Sequence, residues 1–479
     1  MPRDRGLRYW LPAYLTDSAA RRRVRNNPGT THVIYLMCDH YEPKHAIKQS
    51  GQDVERVKAW SEGYPKFFSK CKKQFGHAPK YSWFYPPHHG LEHLTPLKKM
   101  VFQGLGEIEL HYHHDNDTSA SLTKDLRATI RAYNRRGLLL CAGEQPQPSF
   151  AFIHGDWALD NSHPQGLFCG VNNELEILQQ LGCWGDMTMP SSNECQTRKI
   201  NSIYYAEDDP SSAKSHDQGH DATRGRTDPK GLFMLQGPLG IYWSGLIPKM
   251  ENAGITRSNW GTPARARAWV NSAIHVKGRP EWLFVKLHAH GAVERDFDPL
   301  FGDKALAMHR TLNEMYNDGH HYKLHYVTAR EAYNICKAAE HGHDGDPDQY
   351  RNFLLPPQPA SRYFTATEHD LICCTETTLE LAELATCDDP SLDIHGMAVR
   401  RIEGAFSHIV ISHSGRRISA KRPTLPALST RAATITLYFN EAPEIKTLSG
   451  CTIVNNEADK SSNCITLSVD HQQIDIELH

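Results

Sequence analysis

Apolar runs and stretches of helical periodicity alternate along residues 31–340, and this order constrains the fold more than any other feature of the chain. The run at 33–38 is apolar throughout, which is typical of a strand buried on both faces of a sheet. We predict strands at 33–38, 81–85, 107–110, 149–153, 232–236, 282–287 and 322–327, and helices at 53–75, 121–136, 172–181, 262–274, 308–317 and 329–340. This alternation predicts an α/β domain with a parallel sheet, either a barrel or an open sheet.

Acidic and histidine side chains stand at the ends of these predicted strands. They are Asp39, His40, His111, His154, Asp156, Asp186 and His288. In parallel α/β sheets the carboxyl ends of the strands share one edge, so we expect these side chains to converge there on one site.

The third strand end is the richest in potential metal ligands, with three histidines and two aspartates in residues 111–117. If a helical turn begins there, His111 and Asp115 at i, i+4 share one metal ion, since imidazole and carboxylate are normal zinc ligands. If the chain stays extended or turns sooner, His113 or His114 takes the place of Asp115. A histidine-rich polar loop without function is the plainer interpretation.

The composition excludes several classes of function. The chain has 479 residues, 39% of them hydrophobic, and a net charge of −2, so it lacks the basic field of a nucleic-acid-binding protein. Twelve cysteines without a CxxC pair favour a reducing compartment, and we expect a cytoplasmic protein. Cys451 and Cys464 are the best candidates for a disulfide, because they lie on two strand-like runs in the C-terminal part of the chain.

Residues 1–30 form an N-terminal arm whose apolar patch, interrupted by Pro12, predicts neither a signal peptide nor a membrane helix. The basic run 21–25 allows contact with an anionic membrane, although packing on the chain's own domain is the expected outcome. The polar segment 206–231 predicts a long loop.

A change in composition ends the α/β region. Residues 341–362 are rich in Gly, Pro and charge and predict a linker, and residues 363–479 contain short β-type runs at 406–411, 433–439 and 464–469. We therefore predict a smaller all-β, sandwich-like domain there, with a packing or spacer role favoured over carbohydrate binding.

The order of these motifs over about residues 33–340 resembles the polysaccharide deacetylase family with its NodB homology domain. The matching motifs are Asp39 with His40, then 111–115, 152–157, 182–186, and Leu287 with His288. The resemblance implies a distorted (β/α) barrel and one divalent metal ion, for which we expect zinc. It also implies removal of N-acetyl groups from a sugar or polysaccharide, with Asp39 as base, His288 as acid, and His40, His111 and Asp115 as metal ligands.

The chain departs from the family pattern at three places. His40 and Asp115 exchange carboxylate and imidazole relative to the family, and residues 154–157 replace its arginine-proline motif. Substrate handling is therefore expected to differ, with His154, Asp156, Trp157 and Asp186 on the substrate side. Asp156 or Asp186 is also suited to orient the ring of His288.

Two other functions stay open. The altered middle motif suits an amidohydrolase acting on a small non-sugar amide, and a degenerate site suits a non-catalytic glycan-binding protein. The presence of both Asp39 and His288 argues against the second of these.

Overall fold

The strand β1, Thr31–His40, lies inside the mainly parallel sheet of the structure, a computed structural model, with neighbours on both sides. All of its residues are buried, in agreement with the unbroken apolar run. It pairs in parallel with β2 (Tyr81–Tyr85), β14 (Trp282–Ala289) and β15 (Tyr322–Val327). The carboxyl ends of β1 and β14 therefore lie side by side.

The sheet extends from β2 through further strands, most of them parallel. They are β3 (Gly106–Tyr112), β6 (Phe150–His154), β7 (Cys183–Asp186), β10 (Leu232–Leu235), antiparallel β8 (Ile203–Ala206) and β9 (His220–Asp221), with β13 (Gly254–Ile255) beside β14 at the other side. The result is a curled, mainly parallel half-barrel sheet, and the predicted α/β class is confirmed.

Helices follow the strands at nearly all the predicted positions. They are α1 (Leu7–Thr16), α2 (Gln52–Phe75), α3 (Leu94–Phe102), α4 (Ser119–Asn134), α5 (Glu174–Gln180), α6 (Pro263–Asn271), α7 (Phe297–Phe301), α8 (Asp303–Tyr316) and α9 (Ala329–Glu340). Short 3-10 turns lie at Pro87–His89, Leu91–His93, Gly155–Trp157, Leu159–Asn161, Ser215–Asp217, Glu294–Asp296 and Pro347–Tyr350. Local signals fix the ends: Gly76, with φ of 81°, ends α2, and a capping box between Thr328 and Glu331 begins α9.

Sequence periodicity missed a β-hairpin and an antiparallel strand. β11 (Gly240–Ser244) and β12 (Ile247–Glu251) pair with each other apart from the main sheet, and β8 lies directly before the polar segment 206–231. That segment is mostly turns, as predicted, and it contributes only β9 and one 3-10 turn.

The helix α1 packs on the α/β unit. Its Trp10 is fully buried against Ile200 and Leu239, which is the expected outcome for this part of the arm, while residues 22–25 of the basic run lie outside the described residues. Among the helices that the structure describes, none has the length and apolar character needed to cross a membrane.

The C-terminal region is antiparallel. Its strands are β16 (Tyr363–Phe364), β17 (Leu371–Cys374), β18 (Thr378–Cys387), β19 (Leu392–Ile394), β20 (Met397–Ser412), β21 (Arg417–Lys421), β22 (Thr434–Phe439), β23 (Ile445–Ser449), β24 (Cys451–Val454), β25 (Cys464–Val469) and β26 (Gln473–Leu478). The long β20 pairs with β18, β19, β21 and β22. Cys451 is buried and lies opposite Val469, and the side chain of Cys464 lies outside the described residues.

The structure describes residues 5–17, 21, 29–134, 138–141 and 147–355, and beyond these 363–364, 371–374, 378–387, 392–394, 397–412, 417–421, 434–439, 445–454, 464–469, 471 and 473–478. Two units are distinguished, one of residues 1–127 with 149–356 and one of 128–148 with 357–479. The change after residue 356 falls within the predicted linker, whereas the grouping of 128–148 with the C-terminal region was not predicted. A short pair of strands, β4 (Leu140–Cys141) and β5 (Gln147–Pro148), lies in this segment.

Candidate metal centre

Three strand ends of the sheet carry potential ligands at the same spacing of two residues. The pairs are His40 with Glu42 at the end of β1, His111 with His113 at the end of β3, and His288 with His290 at the end of β14. In an extended chain, residues i and i+2 lie on the same face. Because these strands are parallel, the pairs meet at one edge of the sheet.

Glu42 is the carboxylate at the centre of this group. Its Oε1 lies 3.2 Å from His113 Nε2 and 3.6 Å from His111 Nε2. Its Oε2 accepts a hydrogen bond of 2.8 Å from His290 Nδ1. The side chain is only about 5% exposed, so these imidazoles provide most of its polar surroundings.

His40 completes the group from the end of β1. Its ring centroid lies 4.8 Å from that of His111 and 4.9 Å from that of His290. Two sets of potential metal ligands result, His40 with Glu42 and His290, and Glu42 with His111 and His113, and within each set the ligand atoms lie within 4.8 Å of one another. We call these five residues the central group.

Outer hydrogen bonds prepare two of the imidazoles as ligands. His111 Nδ1 donates to Ile153 O at 2.9 Å, and His113 Nδ1 lies 3.2 Å from Asp156 Oδ2. A proton held on Nδ1 leaves the lone pair on Nε2 for a metal. The donor set therefore fits a divalent ion such as zinc.

Charge at the centre is concentrated on Glu42. Burial opposes its ionisation, but hydrogen bonds from His111, His113 and His290 hold its pKa well below the usual range. Burial lowers the pKa of His40, and the neighbouring His111 and His290 lower it further. Burial opposes protonation of His113, but its hydrogen bonds to Asp156 and Glu42 raise its pKa to about 9, so a metal ion that binds this imidazole displaces a proton.

Asp115 lies outside this group, although the sequence predicted it as a ligand. Its side chain is exposed, and Oδ1 accepts a hydrogen bond of 2.6 Å from Phe168 N. β3 runs to Tyr112 instead of ending at His111, so the chain stays extended and His113 lies beside His111. His113, one of the two alternatives to Asp115 that the sequence left open, therefore lies where Asp115 was predicted.

Asp39, predicted as the base, is fully buried, and Gly291 N donates to its Oδ1 at 2.5 Å. Successive strand residues face opposite sides, so Asp39 and His40 diverge. Burial raises the pKa of Asp39 well above the usual range.

His288, predicted as the acid, lies beside the central group. Its ring centroid is 5.9 Å from that of His40, and Nδ1 has no hydrogen-bond partner among the described residues. Burial lowers the pKa of His288 well below its usual value, and the charge of Lys286 lowers it further. The imidazole is therefore neutral near pH 7.

The predicted substrate-side residues are divided among several places. The ring of Trp157 lies 6.0 Å from His40 and 6.2 Å from His288, whereas Asp156 binds His113. Asp186 accepts hydrogen bonds from the backbone and hydroxyl of Thr188 and makes no described contact with His288. Of these predicted residues, Trp157 is the one whose ring packs beside His40 and His288.

Two further ligand groups lie outside the centre. His154 joins His114, Cys169 and Glu174 in a buried cluster. His32, His325 and Asp346 lie near the amino end of β1, where His325 Nδ1 also lies 2.9 Å from Asp348 Oδ1. The second is remote from the strand ends that carry the central group.

Glu42 and His290 are the central residues that the sequence reasoning missed. The signal that identifies them is their position two residues after a predicted strand-end histidine, which places both on the same face as that histidine. A search for helical i, i+4 spacing could not find them.

Comparison with known proteins adds no identification: no protein-family model matches the chain, and no curated protein matches it. The resemblance to polysaccharide deacetylases therefore stays a prediction.

Proposed function

We propose that this chain is a metal-dependent hydrolase that cleaves an amide bond, with N-acetylated sugars or polysaccharides as the substrate class. The observation that carries the proposal is the meeting of Glu42 with His111, His113 and His290 at the carboxyl edge of a parallel sheet. This edge is where α/β enzymes place their catalytic residues.

The central group supplies the ligands for a divalent ion, for which we propose zinc. Such an ion would polarise the substrate carbonyl and make a water molecule nucleophilic near neutral pH. Glu42 balances part of the ion's charge, and the outer bonds of His111 and His113 hold their rings in place.

We assign proton transfer to His288. It is neutral, buried and beside His40, and its Nδ1 has no partner among the described residues. The neutral imidazole takes the proton released as water attacks the carbonyl carbon, and the resulting imidazolium returns it to the leaving nitrogen.

Asp39 acts by positioning in this proposal. Its carboxyl group fixes Gly291 N, and Gly291 directly follows the potential ligand His290. Its burial on the face of β1 opposite His40 favours this role over that of the base predicted from the resemblance. The half-buried indole of Trp157 offers an apolar face to a sugar ring beside the reacting group.

The test combines metal analysis of the purified full chain with an acetate-release screen over N-acetylated glycans and small amides. We expect zinc at the central group and zinc-dependent acetate release, and Glu42→Gln should lose this equivalent of zinc together with the acetate release. His321→Ala is the matched control, since that side chain is 87% exposed. Binding of no divalent metal by the wild type, or full activity in Glu42→Gln, would contradict the proposal.

A further inference from the structure

A second cluster of potential ligands, separate from the central group, lies between β3, β6 and α5. It consists of His114, His154, Cys169 and Glu174, which we call the inner cluster. The side chains of His154 and Glu174 are fully buried, that of His114 is 4% exposed, and Cys169 is also fully buried. Polar groups so deeply buried require a partner for every ligand atom.

The ligand atoms converge on one point. His154 Nε2 lies 2.9 Å from His114 Nε2 and 3.5 Å from Glu174 Oε1, and His114 Nε2 lies 3.1 Å from the same oxygen. Cys169 Sγ lies 3.6 Å from Glu174 Oε2. The ligand atoms of a tetrahedral zinc ion are separated by roughly 3.3–3.6 Å for bonds of about 2.0–2.3 Å, so the two Nε2 atoms and Glu174 Oε1 need to move apart only slightly. One ligand atom from each of the four residues, Cys169 included, lies within 4.8 Å of the others.

The far sides of both imidazoles are already occupied by acceptors. His114 Nδ1 donates to Asp117 Oδ2 at 3.0 Å, and His154 Nδ1 donates to Gly155 O at 2.5 Å. With the protons on Nδ1, two Nε2 lone pairs and a carboxylate face one another across a buried space. Only a cation, either a proton or a metal ion, makes this arrangement favourable.

Backbone amides surround the other two donors in the manner of an outer ligand shell. Asn161 N and Val171 N point at Cys169 Sγ at 3.3 and 3.5 Å, and Asp160 N donates to Glu174 Oε2 at 2.6 Å. Amide donors of this kind stabilise a thiolate and a carboxylate that bind a metal. One thiolate and one carboxylate would also balance the two charges of zinc, which leaves no net charge in a buried place.

We propose that the inner cluster is a closed structural zinc site with the ligands His114, His154, Cys169 and Glu174. Four protein ligands leave no position for substrate, which is typical of structural zinc. The site is distinct from the central group and does not depend on the hydrolase proposal.

The inner cluster would fix the irregular segment 155–173 that joins β6 to α5. This segment has a positive φ at Asp156, Trp157, Asp160, Asn161 and Phe168, conformations that persist only when the surroundings hold them. Two ligands, His154 and Glu174, flank the segment and a third, Cys169, lies within it. Zinc there would hold Trp157 against the central group.

Cobalt(II) provides the test, because a thiolate ligand gives cobalt a strong near-ultraviolet charge-transfer absorption that imidazole and carboxylate ligands do not give. Among the ligand groups of the described residues, only the inner cluster contains a cysteine. We expect the cobalt-loaded full chain to show this absorption, and we expect Cys169→Ser to lose it together with one equivalent of metal. His111→Ala should keep it, and Cys336→Ser, which removes another buried free thiol, is the matched control.

X-ray absorption of the zinc-loaded wild type gives a second measurement that does not depend on a variant that folds. We expect sulfur in the zinc shell. Absence of both the cobalt absorption and the zinc–sulfur signal in the wild type, or their persistence in Cys169→Ser, would overturn the proposal. A wild type that shows the zinc–sulfur signal but binds no metal at the central group would instead contradict the hydrolase proposal. The proposal for the inner cluster would stand in that case.

Discussion

His113 and His114 are neighbours in the sequence, yet their imidazoles serve different clusters. His113 Nε2 lies 3.2 Å from Glu42 Oε1, whereas His114 Nε2 lies 3.1 Å from Glu174 Oε1. Successive residues of an extended chain face opposite sides. Two adjacent residues therefore supply ligands to two different proposed metal sites.

Single substitutions at this place should therefore affect the two sites separately. His113→Ala should weaken metal binding at the central group by more than the roughly 10–100-fold that loss of an outer-shell partner costs. It should leave the thiolate absorption of the cobalt form unchanged, and His114→Ala should do the reverse. Metal titration followed by absorption spectroscopy measures both effects.

Asp115→Ala is the control for these variants, because the exposed carboxylate accepts hydrogen bonds only from Phe168 N and Asn116 Nδ2 among its described contacts. We expect metal affinity within about twofold of the wild type, well below the tenfold effect of an outer-shell partner. Loss of metal in this variant would restore the ligand predicted from the sequence.

Proton transfer should depend on His288 and much less on Asp39. His288→Ala should lower turnover of an amide substrate by roughly a hundredfold or more, the size of a general acid–base contribution, without loss of metal. Asp39→Asn retains an oxygen that accepts from Gly291 N and should lose less than about tenfold. Steady-state kinetics on metal-loaded protein would show the opposite ranking if Asp39 were the base.

Gly291 should tolerate no side chain while Asp39 is present. A Cβ at residue 291 would lie 1.9 Å from Asp39 Oδ2. Gly291→Ala should therefore lower the free energy of unfolding by about 1–3 kcal/mol and disturb His290. Thermal unfolding and metal content of the double variant Asp39→Ala with Gly291→Ala test the cause, because the two effects should be non-additive, with part of the loss recovered. Simple addition of the two losses would refute the proposed contact.

Stability should fall with rising pH because of Asp186. This carboxyl group is 1% exposed, and burial raises its pKa to about 7 against the hydrogen bonds from Thr188. Between about pH 4 and 7 the folded chain holds a proton that the unfolded chain releases, so this group's contribution decreases as pH rises through that window. The melting temperature of Asp186→Asn relative to the wild type should therefore increase between about pH 4 and 7 and change little above that. An unchanged difference would contradict the assignment.

The sequence by itself determined the order of the α/β unit and the edge of the sheet at which potential metal ligands meet. Continuous apolar runs such as 33–38 are typical of strands buried on both faces, and the helices between them indicate parallel connections. The ends of β2, β15 and α9 agree with the prediction, because Pro86, the helix cap Thr328 and the polar neighbours are local signals.

Only the tertiary structure decided which of the many histidines lie close together. The spacing from His111 to Asp115 was compatible with one turn of helix, but pairing of β3 with β6 extends the strand through Tyr112 and turns Asp115 away. Glu42 and His290 are far apart in the sequence and meet because β1 and β14 are neighbours in register. Ligand identity depends on which side chains reach one point in space, and strand pairing sets that distance.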